Sequence, residues 1–322
     1  MTPPGPTASP AIRVALPQLC DIDDLDRDRA IALLDRADAV HAVALGRAPA
    51  LSSLAGRTVV NLFFENSTRT RTSFSLAARR LGAEVVDFHA HTSSAGKGES
   101  LLDTWATLRA MGCDAFVVRH ADDHAVAELA RQTRLCERPH SPIINAGSGR
   151  HAHPTQALLD ALTIRQRKPD LASLTVAIIG DIRHSRVARS NLKLLQLLGV
   201  GELRVAAPPA LHAEDLPAGV HRFERIEPAL AGADVVMMLR LQRERMGAAQ
   251  VADGSEYFRD WGLTTERLAL AAADAIVMHP GPINREVEIA SDVADGPQSV
   301  ILAQVGNGVA VRMAVLEAVL GA

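Results

Sequence analysis

The densest chemistry in the chain lies between Phe63 and Phe74. There Glu65-Asn66-Ser67-Thr68-Arg69-Thr70-Arg71-Thr72-Ser73 crowds hydroxyls and guanidinium groups into one short stretch. An apolar run, Thr58–Phe64, precedes it, and Phe74, Ala77, Ala78 and Leu81 recur behind it at helical spacing. The block therefore straddles the end of a strand and the start of a helix. A helix N-terminus carries unpaired N–H groups and the positive end of the helix dipole, so it favours an anion. Ser67, Thr68 and Thr70 add hydroxyl donors, and Arg69 adds a planar fork suited to phosphate oxygens. Capping accounts for one or two such residues, not for five in alternation. The block reads as a phosphate site. Gly-x4-Gly-Lys-Ser/Thr is missing, which speaks against a nucleotide-hydrolysing loop.

Five further segments carry groups a substrate could use. In His153-Pro154-Thr155-Gln156 the proline suits the first turn of a helix, and His153 and Gln156, three apart, can point the same way. The first can donate to a carbonyl oxygen; the second can hold an amide by donor and acceptor together. Arg119 stands at the C-terminal end of an apolar run, where α/β sheets place ligand contacts. Arg186 and Arg240, each beside a strand end, present two forks to a substrate with two carboxylates, and Gln242 shares the side of Arg240 by two-residue alternation. At Pro280-Gly281-Pro282 the prolines remove backbone donors, leaving carbonyl oxygens in a turn to accept from an amine or amide NH2. The strand-to-helix step after Gly180 lacks Gly-x-Gly-x-x-Gly, so nicotinamide binding is not expected.

Positioning these groups calls for alternating strands and helices. Short apolar runs fall at Thr58–Phe64, Glu84–Phe88, Ala115–Arg119 and Ile143–Ala146, then at Thr175–Gly180, Leu203–Ala207, Val235–Leu239 and Ala275–His279. Helical periods fall at 25–45, Thr72–Leu81, Leu101–Met111, Val126–Thr133, Pro154–Arg165, Arg186–Leu198 and Thr264–Ala273. The pattern predicts an α/β protein with two doubly wound parallel-sheet domains of four strands each, joined by helices. The expected layout is a disordered proline-rich leader at 1–10, a first domain over 11–152 and a second over 153–299. A C-terminal helix over 300–322, interrupted at Gly306-Asn307-Gly308, is expected to pack back on the first domain.

Composition narrows the class. The chain has 322 residues, about two domains' worth, and 48% of them are hydrophobic, enough for ordinary cores. A net charge of −3 with 3% aromatics argues against a nucleic-acid surface. No uninterrupted apolar run approaches the ~18 residues of a membrane span, and the first ten residues lack a signal-peptide pattern. Cys20, Cys113 and Cys136 lie far apart without a CxxC pair, which suits free thiols in a reducing cytoplasm rather than a disulfide scaffold or zinc site. Only Lys97, Lys168 and Lys193 break the chain's preference for arginine.

The Ser67-Thr68-Arg69-Thr70-Arg71 block resembles the signature of the aspartate/ornithine carbamoyltransferase family, and the resemblance runs on from about residue 15 to near the end. It takes in His91–Glu99, Val118-Arg119-His120, His153–Gln156, Gly180–Arg186, Leu239–Arg245, His279–Glu286 and Gly306-Asn307-Gly308. It implies transfer of the carbamoyl group of carbamoyl phosphate to the amine of L-aspartate, with no cofactor, metal or covalent enzyme intermediate. Carbamoyl phosphate would be held by Ser67, Thr68, Arg69, Thr70, Arg119, His153, Gln156, Pro280 and Gly281, with Arg69, Thr70, Arg119 and His153 catalytic. Aspartate would be held by Arg186, Arg240 and Gln242. The resemblance further implies a cytoplasmic homotrimer in which Ser93 and Lys97 serve the adjacent subunit's site, with room for a larger assembly with regulatory or dihydroorotase-like chains. Many family members have leucine where this chain has Gly281. Ornithine is the rival acceptor, but its enzymes typically show His-Cys-Leu-Pro where this chain has His279-Pro280-Gly281-Pro282. A non-catalytic homologue should have lost Arg69, Arg119 or His153, and all three are present.

Overall fold

The computed structural model describes residues 14–89, 98–135, 141–242 and 254–321. Two parallel sheets dominate it. The first comprises β1 (Thr58–Phe63), β2 (Glu84–His89), β3 (Ala115–His120) and β4 (Ile143–Ser148), in the order β2-β1-β3-β4. The second comprises β5 (Thr175–Ile179), β6 (Glu202–Ala206), β7 (Val220–Phe223), β8 (Val235–Met238) and β9 (Ile276–Met278), in the order β7-β6-β5-β8-β9. Around the first sheet lie α1 (Arg27–Ala39), α2 (His41–Ala44), α3 (Thr68–Arg80), α4 (Leu101–Ala110) and α5 (Ala125–Leu135). Then come α6 (Pro154–Arg167), α7 (Arg186–Leu198), α8 (Ile226–Leu230), α9 (Gly254–Trp261), α10 (Thr265–Leu268), α11 (Ser291–Ala294) and α12 (Ile301–Leu320).

The strand order decides where a ligand can sit. From β1 the chain crosses to β2 on one side and returns to β3 on the other, so the crossovers diverge between β1 and β3 and leave a crevice at their C-terminal ends. Phe63 pairs in register with Arg119 there. The second sheet repeats the arrangement between β5 and β8, where Ile179 pairs with Met238, just before Gly180 and Leu239-Arg240. Each sheet's crevice is thus bordered by residues that the sequence marks for chemistry.

One apolar cluster joins the two sheets through α1, α3, α6, α7 and α12, with Phe74, Leu158, Leu162 and Leu316 wholly buried. The outer faces are covered separately, by Trp105, Val126 and Leu129 on the first sheet and Ile226, Leu230 and Leu263 on the second. Coverage of both faces is why the strands read as continuous apolar runs. Helix α12 packs against α1, α3 and α6.

Three expectations need correction. The second sheet has a fifth strand, β7, an edge strand whose Val-His-Arg-Phe sequence is half exposed and carries no apolar run. The helix expected over Thr264–Ala273 is only the single turn of α10. The Ala272 N–H donates instead to the Ala233 carbonyl, and the Leu270 carbonyl accepts from Gly232, so tertiary bonds override the helical propensity of an alanine-rich stretch. Helix α12 runs unbroken through Gly306-Asn307-Gly308. Each mid-helix glycine costs about 1 kcal/mol, but Asn307 Nδ2 donates to Thr163 Oγ1 at 2.9 Å and Gln166 Oε1 at 2.8 Å on α6, offsetting about 1 kcal/mol each. Among the described residues α12 is the one helix long and apolar enough to cross a membrane, and most of it is buried in the fold.

Candidate active site

Chain entering the cleft from β1 turns into α3 at Ser67, which occupies the N-cap position with extended backbone (φ −158°). Its hydroxyl makes no capping bond, so the helix start is left to the cleft rather than to its own side chain. Thr70 is buried, and Ser73 Oγ pins the turn by donating to the Arg69 carbonyl at 2.7 Å and the Thr70 carbonyl at 3.0 Å. Arg71 turns away to lie over the Phe63 ring, 5.2 Å from its centroid. Arg69 turns inward. Burial and then the charge of Arg240 across the cleft hold its guanidinium below the ordinary arginine range.

Beside it, Arg119 Nη1 donates to the Ala146 carbonyl at 3.1 Å, while Nη2 lies 2.9 Å from Glu65 Oε2. Arg186, from the start of α7, reaches the same oxygen at 2.8 Å and the Gly149 carbonyl at 2.9 Å. The two guanidinium groups converge over Gly147, where a Cβ would stand 2.8 Å from Arg119 Nη1 and 3.0 Å from Arg186 Cζ. With φ at +123°, that position admits glycine alone without strain. Glu65 therefore bridges Arg119 on β3 and Arg186 on α7.

His153 is the N-cap of α6 and is buried, its N–H donating to Ser190 Oγ at 2.9 Å. Burial, reinforced by the charges of Arg119, Arg186 and Arg312, holds its pKa well below the usual histidine value. The ring is neutral at pH 7 and can serve as a hydrogen-bond donor without carrying a charge. Gln156 lies one turn on, its Nε2 donating to Asp160 Oδ1 at 3.0 Å.

The second sheet supplies Arg240 and Gln242 from the segment after β8, with Gln242 Nε2 donating to the His184 carbonyl at 3.2 Å. His184 is in turn tied to the buried Asp181, 2.9 Å away. The Pro280-Gly281-Pro282 turn is held from beneath. Its Gly281 N–H donates to His279 Nδ1 at 2.8 Å, His279 Nε2 meets buried Glu288 at 3.2 Å, and the His279 N–H donates to Gln304 Oε1 at 2.9 Å. Gly281 has φ +66°, and a Cβ there would stand 3.1 Å from Arg69 Cζ. A larger residue would press on the phosphate-block arginine.

These residues enclose one cavity of about 420 Å³. It is lined by Ser67, Thr68, Arg69 and Thr70, by Arg119, His153 and Gln156, and by Arg186, Arg240, Gln242, Pro280 and Gly281. Ser93 and Lys97 lie outside the described residues. Among the further lining residues are Glu65, Gln304 and Arg312, to which the sequence alone assigns no role. Arg312 is fully buried in α12 over the Phe74 ring, and burial pushes it down to about 10. An ionisable residue within an apolar helix was the available signal. The described lining holds five arginines (69, 119, 186, 240 and 312) against one carboxylate, Glu65. Such a cavity selects ligands that bring several negative charges.

Comparison with known proteins agrees. Residues 18–166 match the family model for the aspartate/ornithine carbamoyltransferase carbamoyl-P binding domain, and residues 172–319 match that for its Asp/Orn binding domain. Aspartate transcarbamoylase from Trypanosoma cruzi in complex with N-(phosphonacetyl)-L-aspartic acid is 33% identical, with 97% of this chain and 98% of that chain covered and a TM-score of 0.84. The same enzyme with carbamoyl aspartate and phosphate is also 33% identical, over 98% of this chain and 99% of that one, with a TM-score of 0.83.

The chain belongs to the aspartate/ornithine carbamoyltransferase family. Within that family's division, the Ser67–Thr70 block and Arg119 fall in the carbamoyl-P half, and Arg186, Arg240 and Gln242 fall in the Asp/Orn half. Helix α6 begins in the first half, yet it carries His153 and Gln156 to the line where the two meet.

Proposed function

We propose that this carbamoyltransferase uses L-aspartate as acceptor, converting it with carbamoyl phosphate to N-carbamoyl-L-aspartate and phosphate. The observation that carries the reading is the cavity's charge. Arg186 and Arg240 face the phosphate block, and Glu65, the one carboxylate in the described lining, is already engaged by Arg119 and Arg186. A dicarboxylate fits that field; the cationic side chain of ornithine does not.

In this reading carbamoyl phosphate lies against the domain over 11–152, its phosphate held by Ser67, Thr68, Arg69 and Thr70 with Arg119 assisting. Thr70, Arg119 and neutral His153 polarise the carbamoyl carbonyl and stabilise the oxyanion that forms on attack. Gln156 and the carbonyls of Pro280 and Gly281 hold the carbamoyl NH2. Aspartate binds through Arg186, Arg240 and Gln242 of the domain over 153–299, and the helix over 300–322 packs back on the first domain. Holding amine and carbonyl in line supplies a proximity advantage of up to about 7–11 kcal/mol. The departing phosphate takes the proton of the attacking amine, since the described lining offers no carboxylate outside the Glu65 bridge and burial leaves His153 a weak base. The reading extends to a cytoplasmic step of pyrimidine biosynthesis, carried out by a homotrimer in which Ser93 and Lys97 complete a neighbour's site.

The test supplies the purified full chain with carbamoyl phosphate and either L-aspartate or L-ornithine, following the ureido product by mass. Carbamoyl aspartate forms and citrulline does not. Citrulline as the main product would overturn the choice of acceptor.

A further inference from the structure

Behind the cleft, at the junction of α6, α7 and α12, stands a carboxylate that no solvent reaches. Asp160 is wholly buried. Its Oδ1 accepts from Gln156 Nε2 at 3.0 Å and from Gln304 Nε2 at 2.8 Å, and its Oδ2 accepts from Asn191 Nδ2 at 2.8 Å. Three amides on three helices thus point their NH2 ends at one residue. Burying a carboxylate is costly, and Leu158, Leu159, Ala161 and Leu162 show that apolar side chains pack this helix well. An apolar residue at 160 could hold the helices together. It could not dictate which way an amide faces.

A carboxylate can. Ionised, it only accepts, so the Gln156 end facing it must be the NH2, which leaves the Gln156 carbonyl oxygen as the end available to the cleft. The same logic applies to Gln304: its NH2 faces Asp160, so its Oε1 faces outward and accepts the His279 N–H at 2.9 Å. His279 opens the Pro280-Gly281-Pro282 turn and takes the Gly281 N–H on Nδ1. One buried carboxylate therefore fixes two sets of acceptors, the Gln156 oxygen directly and the turn's carbonyls through Gln304.

We propose that Asp160 is a positioning residue for recognition of the carbamoyl NH2, presenting acceptors from α6 and from the Pro280–Gly281 turn to the same group. The inference rests on the carbamoyl phosphate reading above. It makes Asp160 responsible for telling carbamoyl phosphate from inorganic phosphate, which offers the same phosphate contacts and no NH2.

The experiment measures binding of phosphonoacetamide, a stable carbamoyl phosphate mimic, and of inorganic phosphate by calorimetry. The wild type and Asp160→Asn are compared as full chains. Asparagine keeps the shape but can turn its NH2 toward Asn191 alone, so Asp160→Leu, which offers neither Gln156 nor Gln304 an acceptor, is measured beside it. In Asp160→Leu the preference for phosphonoacetamide over phosphate should fall by at least about tenfold, with phosphate affinity unchanged within about twofold. On a Gln156→Ala background the same substitution should cost less than it does alone, because part of its path is already cut. Should Asp160→Leu fail to fold, Gln304→Leu, which leaves the Gln156–Asp160 contact in place, should show a smaller loss of the same preference. An unchanged preference in the folded variants overturns the proposal, as does an equal loss of both ligands, which would mark a merely structural residue. A wild type that does not distinguish the two ligands would overturn the carbamoyl phosphate reading together with the proposal.

Discussion

Arg186 Nη2 lies 2.8 Å from Glu65 Oε2, so the guanidinium assigned to a substrate carboxylate already faces one of the chain's own. Glu65 leaves β1 of the first sheet and Arg186 starts α7 beside the second, so the contact ties the two halves across the cleft. Arg119 shares the same oxygen at 2.9 Å. Without the carboxylate, two guanidinium groups packed over Gly147 would repel each other. Glu65 therefore sets the approach of the halves and the aim of both arginines.

Replacing Glu65 by Gln should lower kcat/KM for aspartate more than it lowers carbamoyl phosphate affinity. With side-chain exposures of 26% for Glu65 and 8% for Arg186, the contact is partly screened. The expected loss is about ten- to a hundredfold, or about 1.4–2.7 kcal/mol. Steady-state kinetics with each substrate varied in turn checks this. An unaltered aspartate KM and kcat would make the bridge incidental.

Shortening Gln242 to Ala should raise the aspartate KM with little effect on carbamoyl phosphate binding, since Gln242 belongs to the segment after β8. Arg240 is different. Its charge acts on Arg69 across the cleft, so Arg240→Leu should raise the aspartate KM and also shift phosphate affinity slightly. Direct titration of inorganic phosphate against both variants separates the two effects. Equal phosphate behaviour in the two would remove the coupling between Arg240 and Arg69.

What could be read from the sequence follows how far apart the interacting residues lie. The phosphate block, the His153–Gln156 pair and Arg240 with Gln242 are local patterns at strand ends, and each lines the cavity. Glu65 is not legible locally because its partners, Arg119 and Arg186, lie far along the chain, and an acid beside a basic block looks like a solvated flank. Asp160 sits in an amphipathic helical pattern where a single acid is ordinary, and only folding brings Asn191 and Gln304 to it. Strand β7 is illegible for a plainer reason: an edge strand with His and Arg at its centre has no apolar run to announce it.

Acid should favour the wild type over Asp160→Asn. Burial raises the Asp160 carboxyl from 3.8 to about 6, against the donors Asn191, Gln304 and Gln156 and the charge of Arg312. A raised folded pKa means the folded chain takes up a proton, between about pH 6 and 3.8, that the unfolded chain does not. Wild-type stability thus gains from this residue as pH falls through that window, whereas asparagine cannot titrate. The stability difference should shift toward the wild type by about 1 kcal/mol between pH 7 and pH 5. Urea midpoints at the two pH values read it, and a difference that does not move would mean Asp160 keeps an ordinary pKa.

Lys97 should work in a neighbouring subunit's site. Strand β2 is the outer strand of the first sheet, and the segment after it, with Ser93-Ser94-Ala95-Gly96-Lys97-Gly98-Glu99, joins it to α4. An edge is where a chain can serve another chain rather than its own core. The segment has no large apolar residue to pin it inward, and it carries one of three lysines in an arginine-rich protein. A compact ammonium on a flexible stem can follow a phosphate that, in the proposed reading, the fixed fork of Arg69 holds. Chains with Lys97→Ala and chains with Arg69→Ala should each be inactive while remaining folded. Mixed in equal amounts and reassembled, they should regain activity, because about one quarter of the interfaces in random trimers join an intact Arg69 to an intact Lys97. Exchange of subunits is verified by mass, using chains of different tag length. If mixed trimers form and no activity returns, Lys97 acts within its own chain or not at all.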